Sequence, residues 1–390
     1  MAKVIKVGLD IGNSNVKGCV LSEKNVVLKD ILIPSCVNYI ADKKYLSFPD
    51  NANTRYIQIL DSELAHSDMI TAIGERALGI PNYQQFDVGS TSYKTNHQIT
   101  TALLFGLIAE TLGSESEVNV ILSVSVPIVE SKTYNLVDNY KKMLQGSHRI
   151  RVYSENGERD VTINIVIARV LNEGQAGFLG LLDTMDNKFR MTMQSLYAFL
   201  GEKPNMVSTL EDFVIVDIGE GTTDLAVFRN KKFNTDYSYS VTKGYGTLLE
   251  LAMSNAEREG LTIESRKQLQ SLLESTNARR KAQQDVWNKF MDVERKAYAD
   301  ELVETVLKTY GRQSFLDAII FLGGGFSALT GYKMNNMGTV DMENGYLFSH
   351  LNEVLQKNNK SASLIFGIPE PYSQSINKRG LMQVLTSLSI

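Results

Sequence analysis

Two short stretches combine an aspartate with glycine and small polar residues, and each follows an apolar run. The first is VGLDIGNSNVK at residues 7–17, and the second is VDIGEGTTDLA at residues 216–226. Their aspartates, Asp10 and Asp217, lie a little over half the chain apart in a protein of 390 residues. Two matched strand–turn–strand contexts predict a duplicated domain in which each half presents one turn to a shared cleft.

Both turns are built from residues that suit the binding of a phosphate anion. Glycine, serine, threonine and asparagine carry little bulk, so several backbone N–H groups can point at one anion. The residues expected to contact phosphate are Gly12, Asn13, Ser14, Asn15 and Lys17 in the first turn and Gly219, Gly221, Thr222 and Thr223 in the second. Two such turns would hold a polyphosphate from both sides. Each turn alone also fits an ordinary hairpin, because these are the usual turn-forming residues.

A carboxylate at the start of each turn would repel phosphate unless a cation lay between them. Magnesium is the natural cation, because it bridges nucleotide oxygens and keeps waters that carboxylates can hold. We therefore expect Asp10 and Asp217 to bind Mg²⁺ through water. Asp224 could orient one of these waters, or it could be a solvated strand residue.

A third glycine-rich stretch, GGGFSA at residues 323–328, follows the apolar run AIIFL. It matches G-x-G-x-x-A, but a dinucleotide site of that kind would lie in the first strand–helix unit of a domain, and this stretch comes late. A glycine turn against a nucleoside ring fits equally well, with Gly323, Gly324, Gly325 and Phe326 as the residues concerned. No G-x-x-x-x-G-K-[ST] sequence occurs, which excludes an ordinary P-loop.

Strand and helix patterns alternate along the chain, which predicts an α/β fold. After three N-terminal strands, residues 34–90 lack a sustained period and are expected to form a small inserted, loop-rich subdomain. Residues 261–310 contain neither Gly nor Pro and predict two or three helices. We expect an N-terminal lobe over residues 1–180 and a C-terminal lobe over residues 181–390, with a helical subdomain at about 235–310.

Composition limits the classes of partner and site. The formal net charge of −4 and the short extent of the basic run ARRK at residues 278–281 disfavour direct nucleic-acid binding. Cys19 and Cys36 stand in apolar contexts without a metal-binding pattern, so neither a disulfide nor a zinc site is expected. The apolar stretches are too short to cross a bilayer and the N-terminus does not read as a signal peptide, which predicts a cytoplasmic protein without membrane contact.

The motifs D-I-G-x-x-x-x-K, D-I-G-x-G-T-T-D and a later strand followed by G-G-G resemble those of the actin, sugar kinase and heat-shock chaperone ATPase superfamily. Within it, the chain is most similar to the bacterial actin-like plasmid-segregation proteins of the ParM and Alp type. The segments ILIPS at 31–35, AIGERA at 72–77 and VILSVSVPI at 120–128 support this narrower match. The resemblance implies an actin-like, ribonuclease H-like fold of two duplicated lobes with an interdomain nucleotide cleft. It implies ATP, with GTP as the alternative, and Mg²⁺ as cofactors.

The resemblance also implies roles for residues outside the turns. Glu173 takes the place of the carboxylate that positions the attacking water, and a helix-start residue favoured by the helix dipole is the alternative. Glu264 and Lys267 lie on the helices that cover adenine in this superfamily, where they could bracket base and ribose or form a solvated charged face. Asn13 departs from the pattern, since many relatives have Gly or Ser there. Residues 376–380 would fall in the second interdomain connector.

The function that the resemblance implies is an ATPase that polymerises into filaments and moves plasmid DNA through a centromere-binding adaptor protein. A small-molecule kinase of the same superfamily is the alternative, although no second candidate base is as well placed as Glu173. A chaperone-like ATPase is less expected, because no substrate-binding domain follows the second lobe.

Overall fold

The computed structural model describes residues 3–48, 56–65, 67–86, 93–335 and 339–388. In chain order, the strands are β1 (Lys3–Ile11), β2 (Asn15–Ser22), β3 (Val27–Pro34), β4 (Cys36–Ile40), β5 (Tyr56–Asp61), β6 (Ile70–Ile73), β7 (Gln84–Gln85), β8 (Glu117–Val126), β9 (Gly146–Ser154), β10 (Gly157–Asn172), β11 (Phe213–Ile218), β12 (Thr223–Arg229), β13 (Lys232–Phe233), β14 (Tyr239–Val241), β15 (Phe315–Leu322), β16 (Lys333–Met334), β17 (Val340–Asp341) and β18 (Ser361–Gly367). The helices are α1 (Glu75–Leu78), α2 (Gln98–Glu110), α3 (Ile128–Lys132), α4 (Leu136–Leu144), α5 (Glu173–Leu181), α6 (Asn187–Phe199), α7 (Met206–Thr209), α8 (Tyr245–Arg258), α9 (Arg266–Leu273), α10 (Lys281–Tyr310), α11 (Gly324–Thr330), α12 (Tyr346–Lys357) and α13 (Ile376–Thr386).

The chain divides into two compact units, each with its own sheet and its own hydrophobic core. Unit 1 comprises Met1–Asp183 and Ser375–Ile390, and unit 2 comprises Thr184–Gln374. The C-terminal helix α13 therefore belongs to unit 1, whereas the sequence placed it in the C-terminal lobe. The boundaries of the lobes as functional domains stay a prediction.

Unit 1 is built on a ten-stranded sheet in the order β3-β2-β1-β8-β10-β9-β5-β6-β4-β7. β1 pairs antiparallel with β2 and parallel with β8, and β8 pairs parallel with β10. The central strands β1 and β8 are apolar runs that are almost wholly buried, as expected of parallel strands covered on both faces. Helix α2 belongs to the same core and is buried from Ile99 to Ala109, in keeping with its uniformly apolar sequence.

The stretch predicted as a loop-rich insertion adds strands to this sheet instead. β5 pairs with β9 and β6, and β4 pairs with β6 and β7. β4, β5 and β6 are only four to six residues long, too short for a sustained alternation to be visible in the sequence. A small core that includes Tyr56 and Ala72 lies here. Residues 49–55, 66 and 87–90 of the predicted insertion lie outside the described residues.

Unit 2 repeats the opening of unit 1. β11 pairs antiparallel with β12 and parallel with β15, and β15 pairs parallel with β18. β13 and β14 pair with β12. Each unit thus begins its sheet with an antiparallel hairpin beside a parallel strand, which confirms the duplicated α/β fold that the repeated motif predicts.

Helices α8, α9 and α10 pack on the sheet of unit 2. Leu248 of α8 and Leu302 of α10 share one core cluster with Val216 of β11, so the helices predicted as a subdomain at 235–310 bury the same core as the strands. The stretch without Gly or Pro forms α9, a 3-10 turn and α10, as predicted. In the described part of the chain, no helix combines the length and the apolar character needed to cross a membrane.

Helix α13 lies against α5 with the two backbones in direct contact. A Cβ atom on Gly380 would overlap the carbonyl oxygen of Ala176, and one on Gly180 would overlap the carbonyl oxygen of Ile376. Glycine is therefore required at both positions for the helices to approach this closely. The structure thus identifies α13 as the helix that packs against α5.

Cys19 and Cys36 are both buried, and no disulfide joins them. Burial raises the pKa of the Cys19 thiol to about 12. Both side chains therefore act as small core residues.

Candidate functional site

The first turn joins β1 to β2 and closes on a hydrogen bond from Gly12 N to the carbonyl oxygen of Asn15, at 3.1 Å. A Cβ on Gly12 would lie 2.9 Å from that oxygen, so glycine keeps the turn tight. Asp10 stands opposite Lys17 in the antiparallel register, and the two side chains share one face of the sheet. Asp10 is 5% exposed and accepts a hydrogen bond from Ser125 Oγ at 2.8 Å. A buried carboxylate and a lysine thus stand together beside the turn.

The remaining residues of the first turn are accessible. Ser14 is exposed, and Asn13 and Asn15 are half-buried. The carbonyl oxygen of Ser14 accepts a hydrogen bond from Ser35 N at 2.8 Å, which anchors the turn to the residue that follows β3. The structure therefore brings together Asp10 and the five residues of this turn that the sequence predicts to bind phosphate.

The second turn joins β11 to β12 with the same closure, from Gly219 N to the carbonyl oxygen of Thr222 at 2.9 Å. Here Asp217 stands opposite Asp224, and the two carboxylates are 6% and 1% exposed. Asp224 accepts hydrogen bonds from Thr222 Oγ1 at 3.3 Å and from Ser240 Oγ. Two buried carboxylates of like charge on one face of a sheet are unfavourable unless donors or a cation compensate them.

Thr223 points to the opposite face of β12 from Asp224. Its hydroxyl is fully buried, donates to the carbonyl oxygen of Lys243 at 2.8 Å and contacts the Tyr298 hydroxyl. Burial raises the pKa of the Tyr298 phenol above its usual value. The Thr223 side chain therefore packs in the core of unit 2, and only the backbone of this residue could donate a hydrogen bond to a phosphate.

The glycine-rich stretch after β15 packs against the second turn. Gly323 has φ +96°, and a Cβ there would overlap both the carbonyl oxygen of Ile218 and Asp217 Oδ1. A Cβ on Gly325 would lie 2.7 Å from the carbonyl oxygen of Gly219. The second turn and the glycine-rich stretch, which are far apart in the sequence, thus form one surface of unit 2.

Two residues of the glycine-rich stretch differ in their placement. Gly324 begins α11 and is half-buried, whereas Phe326 is fully buried. The Phe326 ring lies 5.6 Å from the Phe321 ring and 5.4 Å from the Tyr332 ring, measured between centroids. Phe326 therefore packs in the core, and its side chain is not at a surface where a nucleotide could stack on it.

The two charged residues predicted to bracket a base, Glu264 and Lys267, are both exposed near the start of α9. Arg266 between them turns inward instead. Its guanidinium lies 3.5 Å from the Glu220 carboxylate in the second turn and 3.5 Å from the Glu250 carboxylate on α8. No spacing in the sequence pointed to Arg266. The signal that could have found it is the acidic Glu220 inside an otherwise small and neutral turn.

Glu173 begins α5 directly after β10. Asn172 caps this helix by accepting a hydrogen bond from Gln175 N at 2.8 Å. The Glu173 side chain is largely buried, and its Oε1 lies 3.2 Å from Lys94 Nζ. The helix-start position that the sequence offers as an alternative is therefore real, but the carboxylate also has a specific cationic partner.

Lys94 is a second residue that the sequence analysis missed. Desolvation by itself would lower the pKa of the Lys94 ammonium, but the carboxylates of Glu173, Asp10 and Glu130 outweigh it and raise that pKa. Lys94 therefore carries its charge at neutral pH. No local pattern marks it, because its partners come from three other elements of unit 1.

The carboxylates of both turns fit magnesium. Among the described residues, no group of three or more His, Cys, Asp or Glu side chains could hold a metal ion alone. Asp10, Asp217 and Asp224 are oxygen donors, and Mg²⁺ binds through one or two carboxylates while it keeps waters and phosphate oxygens. Each turn, taken by itself, thus offers carboxylate oxygens that suit an Mg²⁺ ion arriving with a phosphate ligand.

Two family models match the chain. Residues 8–175 match the N-terminal domain of actin-like proteins, and residues 215–332 match the C-terminal domain of the archaeal, MreB-like actin homologues. The first range includes the first turn and Glu173, and the second includes the second turn and the glycine-rich stretch. No curated protein sequence matches the chain.

Solved structures match nearly the whole chain at low sequence identity. Actin-like protein Alp7A has a TM-score of 0.65 at 14% identity, covering 99% of this chain and 97% of its own. The archaeal actin homologue Ta0583 has a TM-score of 0.62 at 16% identity, covering 98% and 99%. Bacillus thuringiensis ParM with AMPPNP has a TM-score of 0.59 at 17% identity, covering 99% and 100%, and the same protein has been solved with ADP and with ATP. At these identities the likeness shows a common fold.

Proposed function

Because residues 8–175 match the N-terminal domain of actin-like proteins and residues 215–332 match the C-terminal domain of MreB-like actin homologues, we propose that this chain binds ATP with Mg²⁺, hydrolyses it and assembles into filaments that segregate plasmid DNA. The observation that carries the proposal is the pair of turns, each closed by the same backbone hydrogen bond and each with a buried aspartate at its start. The nucleotide complexes of Bacillus thuringiensis ParM support ATP as the ligand. GTP is the alternative nucleotide.

The first turn binds phosphate in this proposal through its backbone and through a positive charge. The backbone N–H groups of Asn13, Ser14 and Asn15 lie in a turn where little side-chain bulk intervenes. Lys17 adds the ammonium. Asp10 beside it would hold a water of a bound Mg²⁺ ion.

The second turn binds phosphate in this proposal through Gly221, Thr222 and the backbone of Thr223. Asp217 and Asp224 would hold waters of a bound Mg²⁺ ion, whose charge would offset the repulsion between the two carboxylates. Gly323 and Gly325 keep the neighbouring backbone close enough for the nucleoside end of the ligand to lie against glycine. Bound Mg²⁺ would supply charge neutralisation for the phosphates.

Glu173 orients the water that attacks the terminal phosphate. Phosphoryl transfer to water depends mainly on positioning and charge stabilisation, so one well-held carboxylate suffices. The capped start of α5 and the ion pair with Lys94 give Glu173 the fixed place that such a role requires.

Partner choice follows from the charge of the chain. A net charge of −4 gives no general attraction to a phosphate backbone, which favours an adaptor protein between filament and DNA. The filament itself consists of copies of this chain, in the cytoplasm.

Sedimentation with Mg²⁺ and ATP tests the proposal, with EDTA as the control and negative-stain images of the pellet. We expect filaments with ATP and Mg²⁺, together with phosphate release that needs no acceptor. Glu173→Gln should still pellet but should release phosphate about 100-fold more slowly. Protein that stays in the supernatant at all concentrations would refute the filament, and phosphate transfer only after a metabolite is added would identify a small-molecule kinase.

A further inference from the structure

Lys94 places a buried positive charge against the carboxylate of Glu173. The two charged groups are 3.2 Å apart, and the two side chains are only 12% and 11% exposed. The carboxylates of Asp10 and Glu130 act electrostatically on the same ammonium. All four residues belong to unit 1, so the arrangement is set within one compact unit.

The backbone that carries Lys94 is held by Glu130. The amide N–H groups of Lys94 and Thr95 each donate to one oxygen of the Glu130 carboxylate, at 2.7 Å and 3.0 Å. Glu130 lies in α3, directly after β8, and is 2% exposed. Because each of its carboxylate oxygens accepts a backbone hydrogen bond, Glu130 fixes the point from which the Lys94 side chain extends to Glu173.

The ion pair selects one orientation of the Glu173 side chain. A glutamate at the first position of a helix has several rotamers available, and a cation 3.2 Å from Oε1 favours the one that makes this contact. Buried ion pairs add little net stability, because the loss of hydration offsets the attraction. The clearer effect of Lys94 is therefore on the direction of the carboxylate.

We propose that Lys94 is a positioning residue for nucleotide hydrolysis that acts through Glu173 and not on the phosphate. This inference rests on the proposed function, in which Glu173 orients the attacking water. A displacement of the carboxylate by about 1 Å is enough to reduce the rate by about 100-fold. Lys94 opposes that displacement of the carboxylate, and the Asn172 cap fixes the start of α5, from which the Glu173 side chain extends.

A double-mutant cycle tests this proposal, using Lys94→Met, Glu173→Gln and the double variant, with phosphate release measured over a range of ATP concentrations. Lys94→Met should lower kcat by about 30- to 100-fold and leave KM within about threefold of wild type. In the Glu173→Gln background, Lys94→Met should change kcat by less than about twofold, because a residue that acts through Glu173 has nothing left to position. Lys94→Arg, which keeps the charge, should recover at least about a third of the wild-type kcat.

Each other outcome overturns the proposal. If the two substitutions multiply in the double variant, Lys94 acts on the phosphate independently of Glu173. If Lys94→Met raises KM and leaves kcat unchanged, it contributes to nucleotide binding. If Lys94→Arg is as slow as Lys94→Met, the charge is not what matters.

Two further measurements separate this result from misfolding and from failure of the proposed function. The double variant removes both charges of the Lys94–Glu173 pair, so it does not leave Glu173 as a buried carboxylate without its cation. It therefore reports on the cycle even if Lys94→Met is unstable, and thermal unfolding of all variants checks this. A wild-type chain that does not hydrolyse ATP refutes the proposed function, and this inference with it. A wild-type chain that hydrolyses ATP but gives an additive cycle refutes only the role of Lys94.

Discussion

The two turns have the same backbone closure and opposite arrangements of charge. In the first turn, the aspartate of the strand end, Asp10, stands opposite Lys17. In the second, Asp217 stands opposite another aspartate, Asp224. The second turn also carries Glu220, which Arg266 pairs with from outside the turn.

The two halves therefore share the backbone closure of the turn and differ in the charges that lie beside it. The first turn provides its own cation next to its carboxylate. The second turn has two buried carboxylates side by side. A cation that binds together with the ligand would reduce their repulsion more than it would in the first turn. We therefore expect substitutions in the second turn to change how nucleotide affinity depends on Mg²⁺. Substitutions in the first turn should change the direct attraction of phosphate.

The largest effect, on the stability of unit 2, should come from adding a side chain at Gly323, where the backbone packs against the second turn. In Gly323→Ala, the new Cβ would overlap the carbonyl oxygen of Ile218 and Asp217 Oδ1, at a residue with φ +96°. We expect unit 2 to lose about 3 kcal/mol or more of unfolding free energy. Urea denaturation followed by the fluorescence of Trp287, which lies in the core of unit 2, measures this.

Gly201→Ala is the matched control for this prediction. Gly201 lies in the same unit and also has positive φ, +77°, but no heavy atom lies within 4 Å of the added Cβ. It should cost only the backbone strain, about 1–2 kcal/mol. Equal losses in the two variants would mean that contact with the second turn contributes nothing.

The next largest effect is on nucleotide affinity, and its dependence on Mg²⁺ should distinguish the two turns. Asp217→Asn should weaken nucleotide binding about 10-fold in Mg²⁺ and leave it unchanged in EDTA, because its carboxylate acts on the metal's waters. Titration with a fluorescent ATP analogue under both conditions measures this.

Lys17→Met provides the contrast in the first turn. It should weaken binding about 10-fold in both Mg²⁺ and EDTA, because the ammonium acts on phosphate directly. A loss of affinity in Asp217→Asn that is the same with and without Mg²⁺ would remove the proposed division between the turns.

The smallest effect concerns the acidic residue of the second turn. Arg266→Met leaves Glu220 without its 3.5 Å ion pair, so the turn becomes more negative. We expect nucleotide affinity to fall about threefold, with a steeper dependence on Mg²⁺ concentration. Arg279→Met, which removes an exposed arginine in the 3-10 turn before α10, should leave the affinity unchanged. Equal behaviour of the two variants would show that Glu220 needs no compensation.

The sequence predicted what is local and repeated. The two D-I-G turns, their flanking strands and the helix start at Glu173 depend on residues within a few positions of one another, so spacing reveals them. The strands within residues 34–90 were harder to predict, because they are short and pair with partners that are distant in the sequence, such as β9.

Long-range partners were outside the reach of spacing. Lys94 meets Glu173 from 79 positions earlier in the chain, and Arg266 meets Glu220 from 46 positions later. Only the tertiary fold brings such pairs together. The predicted contact between Phe326 and a nucleoside does not fit the structure for a related reason. The packing of α11 decides where the Phe326 ring points, and the motif alone did not reveal that the ring is buried.

The burial of both cysteines has a practical consequence for fluorescence work on this protein. A thiol alkylates as its thiolate, and burial raises the pKa of Cys19 to about 12, so we expect Cys19 in the folded chain to react slowly with maleimides, and Cys36 is buried as well. Tyr134, whose side chain is 90% exposed on unit 1, is a natural place to introduce one reactive cysteine. We expect a maleimide dye to label that site in preference to the native thiols, so that the assembly proposed for this chain could be tested by light microscopy.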